Sequence, residues 1–441
     1  MKYHIWTEGC QMNVADSRYL SSSLEKLGYE HTPEIESADV IVLNTCVVRQ
    51  SAENKAIGRL SSLRPLKQRN PDLVINLMGC LIGIHGNELV KKRFPWVDVF
   101  SPPSDPMPLL QFLADRSGKA QNEEWRQNID AIVDEDYILP RYESGKLVSA
   151  NLPVVLGCSH ACAYCIIPFR RGKEVSRPMD EILKEAHALT SQGVREIVLL
   201  GQIVDRYGLD LEQKTSLSDL LRELSGIPGL LRIRFLTSHP NYMTDELIDS
   251  VFTLPKVMPH IEVPIQAGDD KILEVMRRGY TSLEYRNLVK KIRTRIPGVS
   301  IGTDVIVGFP GESDKQFQNT YDILADLKLD VVHLARYSPR TGTYSARFLP
   351  DDVSSEEKMC RFRLVEDLQE KISAEINAAY LDRPVEVLFE GNSKHRWRGR
   401  TPTNKLVFIE SPENLLGLER TVRITWTGPW SMLGEPEAPG N

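Results

Sequence analysis

Residues 157–168 read Gly157-Cys158-Ser159-His160-Ala161-Cys162-Ala163-Tyr164-Cys165-Ile166-Ile167-Pro168. Three cysteines stand there at C-x3-C-x2-C spacing, all within eight residues. Disulfide pairing would leave one thiol over, and a four-ligand zinc site would need a fourth ligand. A soft trithiolate nest suits an iron–sulfur cluster. Three protein ligands on a four-iron cube leave one iron open to a small molecule.

Around this stretch, from 151 to about 350, the pattern alternates between short apolar runs and amphipathic segments. Candidate strands are Leu152–Leu156, Glu196–Leu200, Leu231–Leu236, His260–Ile265, Ser300–Val307 and Val331–Ala335. Between them, Asp180–Gln192 reads as the clearest helix, with Ile182, Ala186 and Leu189 on one face and Gly193 ending it. Six such repeats predict a partial (β/α)6 barrel rather than a full eight. Sites in these barrels lie at the C-terminal ends of the strands. That rule makes site candidates of the polar residues there: Gln202 and Asp205, Thr237, Ser238 and His239, Gln266, Thr303, Asp304 and Glu312, and Tyr337, Ser338, Arg340 and Thr343.

Upstream, residues 1–100 also alternate strand and helix. Tyr3–Trp6, Val40–Leu43 and Leu73–Met78 read as strands. One helix carries Leu20, Leu24 and Leu27 and stops at Gly28, and a basic helix spans Ser51–Gln68. The rhythm predicts a doubly wound α/β domain. Cys10, Cys46 and Cys80 each fall just past a predicted strand, at the edge where open parallel sheets bind ligands. Singly, each is a plausible buried cysteine. Their repetition at one topological position predicts a second cluster. The breaker-rich stretch 101–108 closes this domain, and the polar, acidic residues 117–150 read as a linker.

Downstream, Ser354–Tyr380 reads as one long helix, which carries Cys360 without a spaced partner. From 382 the period changes to two, predicting a small all-β barrel. Lys394, Arg396, Arg398, Arg400 and Lys405 occur there around Trp397 with no acid among them. That composition fits RNA backbone contact with base stacking. Arg170 and Arg171, just after the cysteine loop, read as further phosphate contacts. The 434–441 tail is Pro/Gly-rich and is expected to lack structure. A net charge of −6 argues against blanket nucleic-acid binding and leaves room for local basic patches. No apolar run approaches the ~18 residues of a membrane span. The first ten residues, with Glu8, do not read as a signal peptide, so the chain is expected in the cytoplasm with its seven cysteines reduced.

With Tyr164 before its last cysteine, the 157–168 stretch resembles the radical-SAM superfamily signature. In that family a three-cysteine 4Fe-4S cluster passes an electron to S-adenosylmethionine (SAM) and releases a deoxyadenosyl radical. Gly9-Cys10-Gln11-Met12-Asn13 with Asp16-Ser17 resembles the N-terminal domain of the methylthiotransferases, as do Asn44-Thr45-Cys46 with Val48-Arg49, and Met78-Gly79-Cys80. There the cysteines hold an auxiliary 4Fe-4S cluster tied to sulfur supply. Gly399-Arg400-Thr401-Pro402-Thr403-Asn404-Lys405 resembles the RNA-binding TRAM domain of the tRNA methylthiotransferases.

The resemblance covers essentially the whole chain. It implies an N-terminal domain over 1–116, a linker over 117–150, a radical-SAM barrel with strapping helix over 151–380, and a TRAM-like barrel over 381–441. It implies two 4Fe-4S clusters, held by Cys158, Cys162 and Cys165 and by Cys10, Cys46 and Cys80. Tyr164, Gln202, Ser238, Gln266 and Arg340 are implied SAM or substrate contacts, and Asp304 orients a polar group at the radical site. Arg232-Ile-Arg-Phe-Leu-Thr-Ser-His-Pro240 and Arg171-Gly172 with Glu174-Val-Ser-Arg177 are most similar to one branch. It methylthiolates C2 of N6-isopentenyladenosine at adenosine-37, beside the tRNA anticodon. Threonylcarbamoyl-adenosine in tRNA or an aspartate of a ribosomal protein are the alternative substrates of the same chemistry. A non-catalytic RNA-binding iron–sulfur protein is the alternative of another class. The implied partners are the anticodon stem-loop, SAM, an electron donor and a sulfur or cluster-assembly source, with the enzyme acting as a monomer.

Overall fold

A computed structural model describes residues 1–48, 50–86, 88–116, 138–393 and 396–437. Most of the expected linker, at 117–137, together with Lys394 and the tail from 438, lies outside the described residues, whereas Gly434, Glu435 and Pro436 of the tail expected to lack structure are paired in a strand. The chain forms two compact units. One comprises 1–145, 151–160 and 165–192; the other comprises 146–150, 161–164 and 193–441.

The first unit is built on a five-stranded parallel sheet: β1 (Lys2–Thr7), β2 (Glu30–His31), β3 (Val40–Thr45), β4 (Val74–Gly79) and β5 (Val99–Ser101), in the order β2-β1-β3-β4-β5. The central β3 and β4 are buried on both faces, which explains their mostly apolar sequences, with Asn44, Thr45 and Asn76 as buried polar positions. Helix Gln11–Lys26 packs Leu20 and Leu24 against Tyr3, Val40 and Val42 on one face. Helix Gln50–Arg69 packs Leu60 and Leu63 against Ile41, Leu43 and Ile75 on the other. Gly28, at φ +85°, ends the first helix as its sequence implied. The described end of the expected linker is not loose. Arg141 N donates to Glu25 Oε2 (2.8 Å), Glu143 pairs with Arg18, and Tyr142 stacks on His31.

The second unit contains the strands of a partial barrel: β9 (Glu196–Leu200), β10 (Arg232–Leu236), β11 (His260–Glu262), β12 (Ser300–Val307) and β13 (Val331–Arg336). Upstream, the chain runs through β6 (Ser149–Pro153), β7 (Val155–Leu156) and β8 (Val175–Ser176). The Val148 carbonyl, just before β6, accepts from the Arg195 and Glu196 amides at 2.8 and 3.0 Å, which starts β6 beside β9. β9 pairs β10, and β11, β12 and β13 pair in turn, all parallel. Between β10 and β11 the ladder is sparse: Ile233 N to Lys256 O at 2.7 Å, and Ser238 N to Glu262 O at 3.0 Å. Helices cover the outside, three of them entered through capping boxes at Ser216, Thr281 and Ser313. The expected long helix is Ser355–Ala378.

The C-terminal strands are β14 (Pro384–Ser393), β15 (Arg396–Arg400), β16 (Leu406–Glu410), β17 (Glu419–Thr427) and β18 (Met432–Pro436). They close into a barrel ordered β14-β15-β16-β18-β17. Its core is Val387, Phe389, Trp397, Val407, Ile409, Val422, Ile424 and Met432. The 400–405 loop caps the starts of the parallel strands. Arg232 Nη1 donates to Arg400 O (2.6 Å). Arg234 donates to Thr401 O and Pro402 O (both 2.8 Å). Asn404 Nδ2 meets His260 Nε2 (3.3 Å), and Lys405 Nζ pairs with Asp330 (2.7 Å).

Candidate active site

In the first unit, Cys10, Cys46 and Cys80 follow β1, β3 and β4. Strand order reverses between β1 and β3, and open α/β sheets bind ligands at that switch point, outside the strand C-termini. The three loops are laced together. Asn13 Nδ2 donates to Asn44 Oδ1 (2.8 Å) and Thr45 O (3.1 Å). Asn44 Nδ2 donates to Asn13 O (2.9 Å) and Ser17 Oγ (3.0 Å), and Cys80 N donates to Thr45 O (2.9 Å). Two glycines make room for this: a Cβ on Gly9 would stand 2.9 Å from Cys46 Cβ, and one on Gly79 2.6 Å from Thr45 O. Cys46 and Cys80 are buried and Cys10 is exposed. Burial pushes the Cys46 thiol up to about 11, and Cys80 and Cys10 push the same way, so the three sulfurs lie within electrostatic reach of one another. Burial also raises Cys80, opposed by the Arg171 guanidinium.

Arg171 corrects a sequence expectation. It is turned inward rather than offered to phosphate. Its Nη2 donates to Asp16 Oδ2 (3.0 Å) and its Nη1 to Ser104 Oγ (3.1 Å), with the paired side chains 3% and 4% exposed. Arg170 is half-buried over Gly83.

The 158–165 loop belongs to both units: Cys158 and Cys165 to the first, Cys162 to the second. It opens at Gly157, whose φ of +66° and position beneath the Lys173 carbonyl admit no side chain; a Cβ would stand 2.0 Å from that oxygen. Cys158 N donates to Gly172 O (3.0 Å) and His160 N to Cys158 Sγ (3.4 Å). In the second unit Ala163 N donates to Met276 O (3.0 Å) and Ser345 N to Ala163 O (2.8 Å), which fixes the stretch carrying Cys162 and Tyr164.

Sequence reasoning did not single out Arg278, whose partners lie far along the chain. It is buried, and its Nη1 donates to Cys162 Sγ at 3.3 Å. No described hydrogen-bond or ion-pair partner of this guanidinium is a carboxylate. A buried cation so placed fits an anionic cluster on that sulfur. Among the described residues no group of three or more His, Cys, Asp or Glu is spaced to hold a single metal ion. The thiolates of a cluster, each on its own iron, need not meet that spacing.

At the barrel's strand ends, Ser238 is buried and its Oγ has no hydrogen-bond partner among the described residues. Gln266 adopts φ +72°, bonded between Asp304 O (2.8 Å) and Ile306 N (2.9 Å). Arg340 is buried, Gln202 and Asp304 are half-buried, and Tyr164 meets Phe309 edge-on. A buried, unsatisfied hydroxyl at a strand end suits a polar ligand.

The expected RNA strip is only partly where the sequence put it. Arg396 and Arg398 are exposed on β15. Trp397, between them, points into the barrel core, since alternation along a strand sends it to the other face. Arg400 is partly exposed near Glu390 (3.6 Å). Lys405 is buried against Asp330 and is a docking residue, not a phosphate contact. Exposed aromatics of this barrel are instead Trp426, whose period-two phase with Val422 and Ile424 is broken by a register shift after Ile424, and Trp430.

Residues 152–324 match the model of the radical-SAM superfamily, and residues 2–101 that of a family described as uncharacterized protein family UPF0004. Among solved structures, the radical SAM methyltransferase TsrM from Kitasatospora setae, with cobalamin and a 4Fe-4S cluster bound, is similar at a TM-score of 0.53. It is 13% identical, with 76% of this chain and 74% of that one covered. The cobalamin-dependent radical enzyme OxsB is similar at 0.51, 12% identical, with 83% and 55% covered. These likenesses show the fold. The chain is thus a radical-SAM enzyme, of a class that works with a 4Fe-4S cluster and SAM.

Relatives similar over full length narrow this. A tRNA-2-methylthio-N(6)-dimethylallyladenosine synthase of Roseiflexus sp. is 46% identical, covering 98% of this chain and 89% of the relative. That of Dehalococcoides mccartyi strain CBDB1 is 46% identical at 98% and 97%, and that of Herpetosiphon aurantiacus 44% identical at 100% and 99%. The chain belongs to the tRNA-2-methylthio-N(6)-dimethylallyladenosine synthase family.

Proposed function

We propose that this enzyme methylthiolates C2 of N6-isopentenyladenosine at adenosine-37 of tRNA. The supporting observation is likeness at 46% identity across 98% of the chain to synthases named for that product, which takes in both cysteine sets and the C-terminal barrel. Cys158, Cys162 and Cys165 hold the radical-SAM cluster, and Cys10, Cys46 and Cys80 a second one. When bound, the first cluster supplies the electron that turns SAM into a radical source, and a further SAM supplies the methyl group.

The chain's own residues position the reactants. The Asn13–Asn44 lacing holds the three N-terminal loops in register. Ser238 Oγ, Gln266, Gln202 and Arg340 orient SAM and the base, and Asp304 holds a polar group of the substrate. Arg396 and Arg398 contact the tRNA backbone, with Arg170 a further candidate. The enzyme acts in the cytoplasm as a monomer and draws on a one-electron donor and a sulfur source. Among the described residues no helix is long and apolar enough to cross a membrane.

The test is nucleoside mass spectrometry. The protein, reconstituted anaerobically with iron and sulfide, is given SAM, reductant and tRNA carrying N6-isopentenyladenosine. A nucleoside heavier by a methylthio group, with deoxyadenosine beside it, is expected. Deoxyadenosine with unchanged tRNA would refute the substrate, and neither product the chemistry.

A further inference from the structure

Among the described residues, buried arginines typically face a carboxylate: Arg18 has Glu143, Arg171 has Asp16, Arg232 has Glu419, Arg234 has Glu196, and Arg361 has Glu312. Arg278 differs. It is 5% exposed, with Nε on the Tyr280 hydroxyl (2.9 Å), Nη2 on Pro264 O (3.3 Å) and Nη1 on Cys162 Sγ (3.3 Å). No carboxylate is among its described partners. A guanidinium kept from water without an anion is strongly disfavoured, so the sulfur must supply the anion. The fork is also fixed in advance. The Tyr280 O–H donates to both Pro264 O (3.0 Å) and Ile265 O (2.9 Å), which leaves its oxygen lone pairs for Arg278 Nε.

We propose that Arg278 is the counter-cation of the cluster on Cys158, Cys162 and Cys165, donating a charge-assisted N–H···S bond to the Cys162 thiolate and raising the cluster's reduction potential. The inference rests on those cysteines being the ligands. Reduction adds one electron from a low-potential one-electron donor and transfers no proton. The reduced cluster carries one more negative charge, so a fixed cation stabilises it more than the oxidised form. Hydrogen bonds to sulfur and local charge are the protein's levers on such a potential. Lysine would keep the charge but lose the three-point fork.

The test uses the full chain with Cys10, Cys46 and Cys80 replaced by alanine, so that only the barrel site is available for a cluster. The parent, Arg278→Gln and Arg278→Lys are reconstituted with iron and sulfide, assayed for iron, and titrated with dithionite against the EPR signal of the reduced cluster. Arg278→Gln is expected to shift the potential downward at unchanged iron content, with a smaller shift for Arg278→Lys. An unchanged potential in fully loaded Arg278→Gln overturns the proposal. If Arg278→Gln does not retain iron, the parent labelled with 15N-arginine decides by pulsed EPR. Nitrogen coupling to the cluster that disappears in Arg278→Lys supports the proposal; no coupling in the parent overturns it. A parent that binds no iron overturns the ligand assignment, and the role of Arg278 with it.

Discussion

Replacing Lys405 by methionine should loosen the C-terminal barrel and leave the exposed arginines of β15 unaltered. Lys405 Nζ stands 2.7 Å from Asp330 Oδ1, with the side chains only 9% and 10% exposed. The other Asp330 oxygen accepts from Ile301 N at 2.9 Å, so the carboxylate cannot turn away without breaking the start of β12. Methionine keeps most of the stem and removes the charge, leaving a buried carboxylate with one amide donor. Losing one partner of a buried pair costs about 3–5 kcal/mol. The lower figure alone is roughly a 100-fold change in an equilibrium. Hydrogen exchange read by mass spectrometry should therefore show strands β14 to β18 opening ~100-fold more often, with the five-stranded N-terminal sheet unchanged. Adding Asp330→Asn should recover much of the loss, because the uncompensated charge is then gone. Arg398→Ala is the control. It is exposed on β15, so exchange should stay within about 0.5 kcal/mol of the parent, while the salt dependence of tRNA binding falls by about one charge. If Lys405→Met exchanged like the parent and lost the same salt dependence, Lys405 would be a phosphate contact and the docking argument would be wrong.

Alanine at Cys158, Cys162 and Cys165 should abolish deoxyadenosine formation, whereas alanine at Cys10, Cys46 and Cys80 should spare SAM cleavage and stop thiolation; product analysis of both proteins checks the split. Gly157→Ala places a methyl 2.0 Å from the Lys173 carbonyl at φ +66°, so bound iron should drop to the level of the Cys158/Cys162/Cys165 alanine protein. In iron-free protein, burial holds the Cys46 thiol protonated up to about 11 against an ordinary 9. Below 9 the proton stays on in both folded and unfolded chains. Between about 9 and about 11 only the unfolded chain releases it, so urea midpoints of the first unit should fall with rising pH across that window. Cys46→Ala should reduce that slope, the remainder coming from Cys80, Tyr3, Tyr29 and Tyr142, which burial also raises.

The parts legible in the sequence were those set by local pattern. Val40–Thr45 and Val74–Gly79 are buried along their whole length and mostly apolar because both faces are covered, and strands of that kind announce a parallel sheet and the edge where Cys46 and Cys80 sit. The barrel strands and the helix ending at Gly28 were legible for the same reason. The short β2 and β5 were not, since two or three residues carry no periodicity. What a charged or aromatic side chain faces was not legible either, because that depends on partners far along the chain. Arg171 finds Asp16 across 155 residues, Lys405 finds Asp330 across 75, and Arg278 finds Cys162 across 116. Trp397 could have been placed by its alternation with Arg396 and Arg398, which required treating the basic run as a strand first.

The same polar floor explains why the C-terminal barrel is more than an appended module. The starts of the parallel strands carry Glu196, Arg232, Arg234 and His260, with Asp330 just ahead of β13, and all of them are buried. A partial barrel that ended in bare charges there would be costly. The 400–405 loop supplies the carbonyls and the ammonium those groups lack, so the cationic sequence around Gly399–Lys405 is divided by direction. Arg396, paired with Glu410 at 3.1 Å, and Arg398 point outward and are exposed to solvent. The Arg400 carbonyl and Lys405 point inward and are consumed by the barrel. Closing this end also directs ligands to the opposite one, where Ser238, Gln266 and Arg340 lie. On the proposed function, a chain with a net charge of −6 would engage tRNA through a few outward arginines, while its inward cations neutralise buried acids and, at Arg278, face a cysteine sulfur.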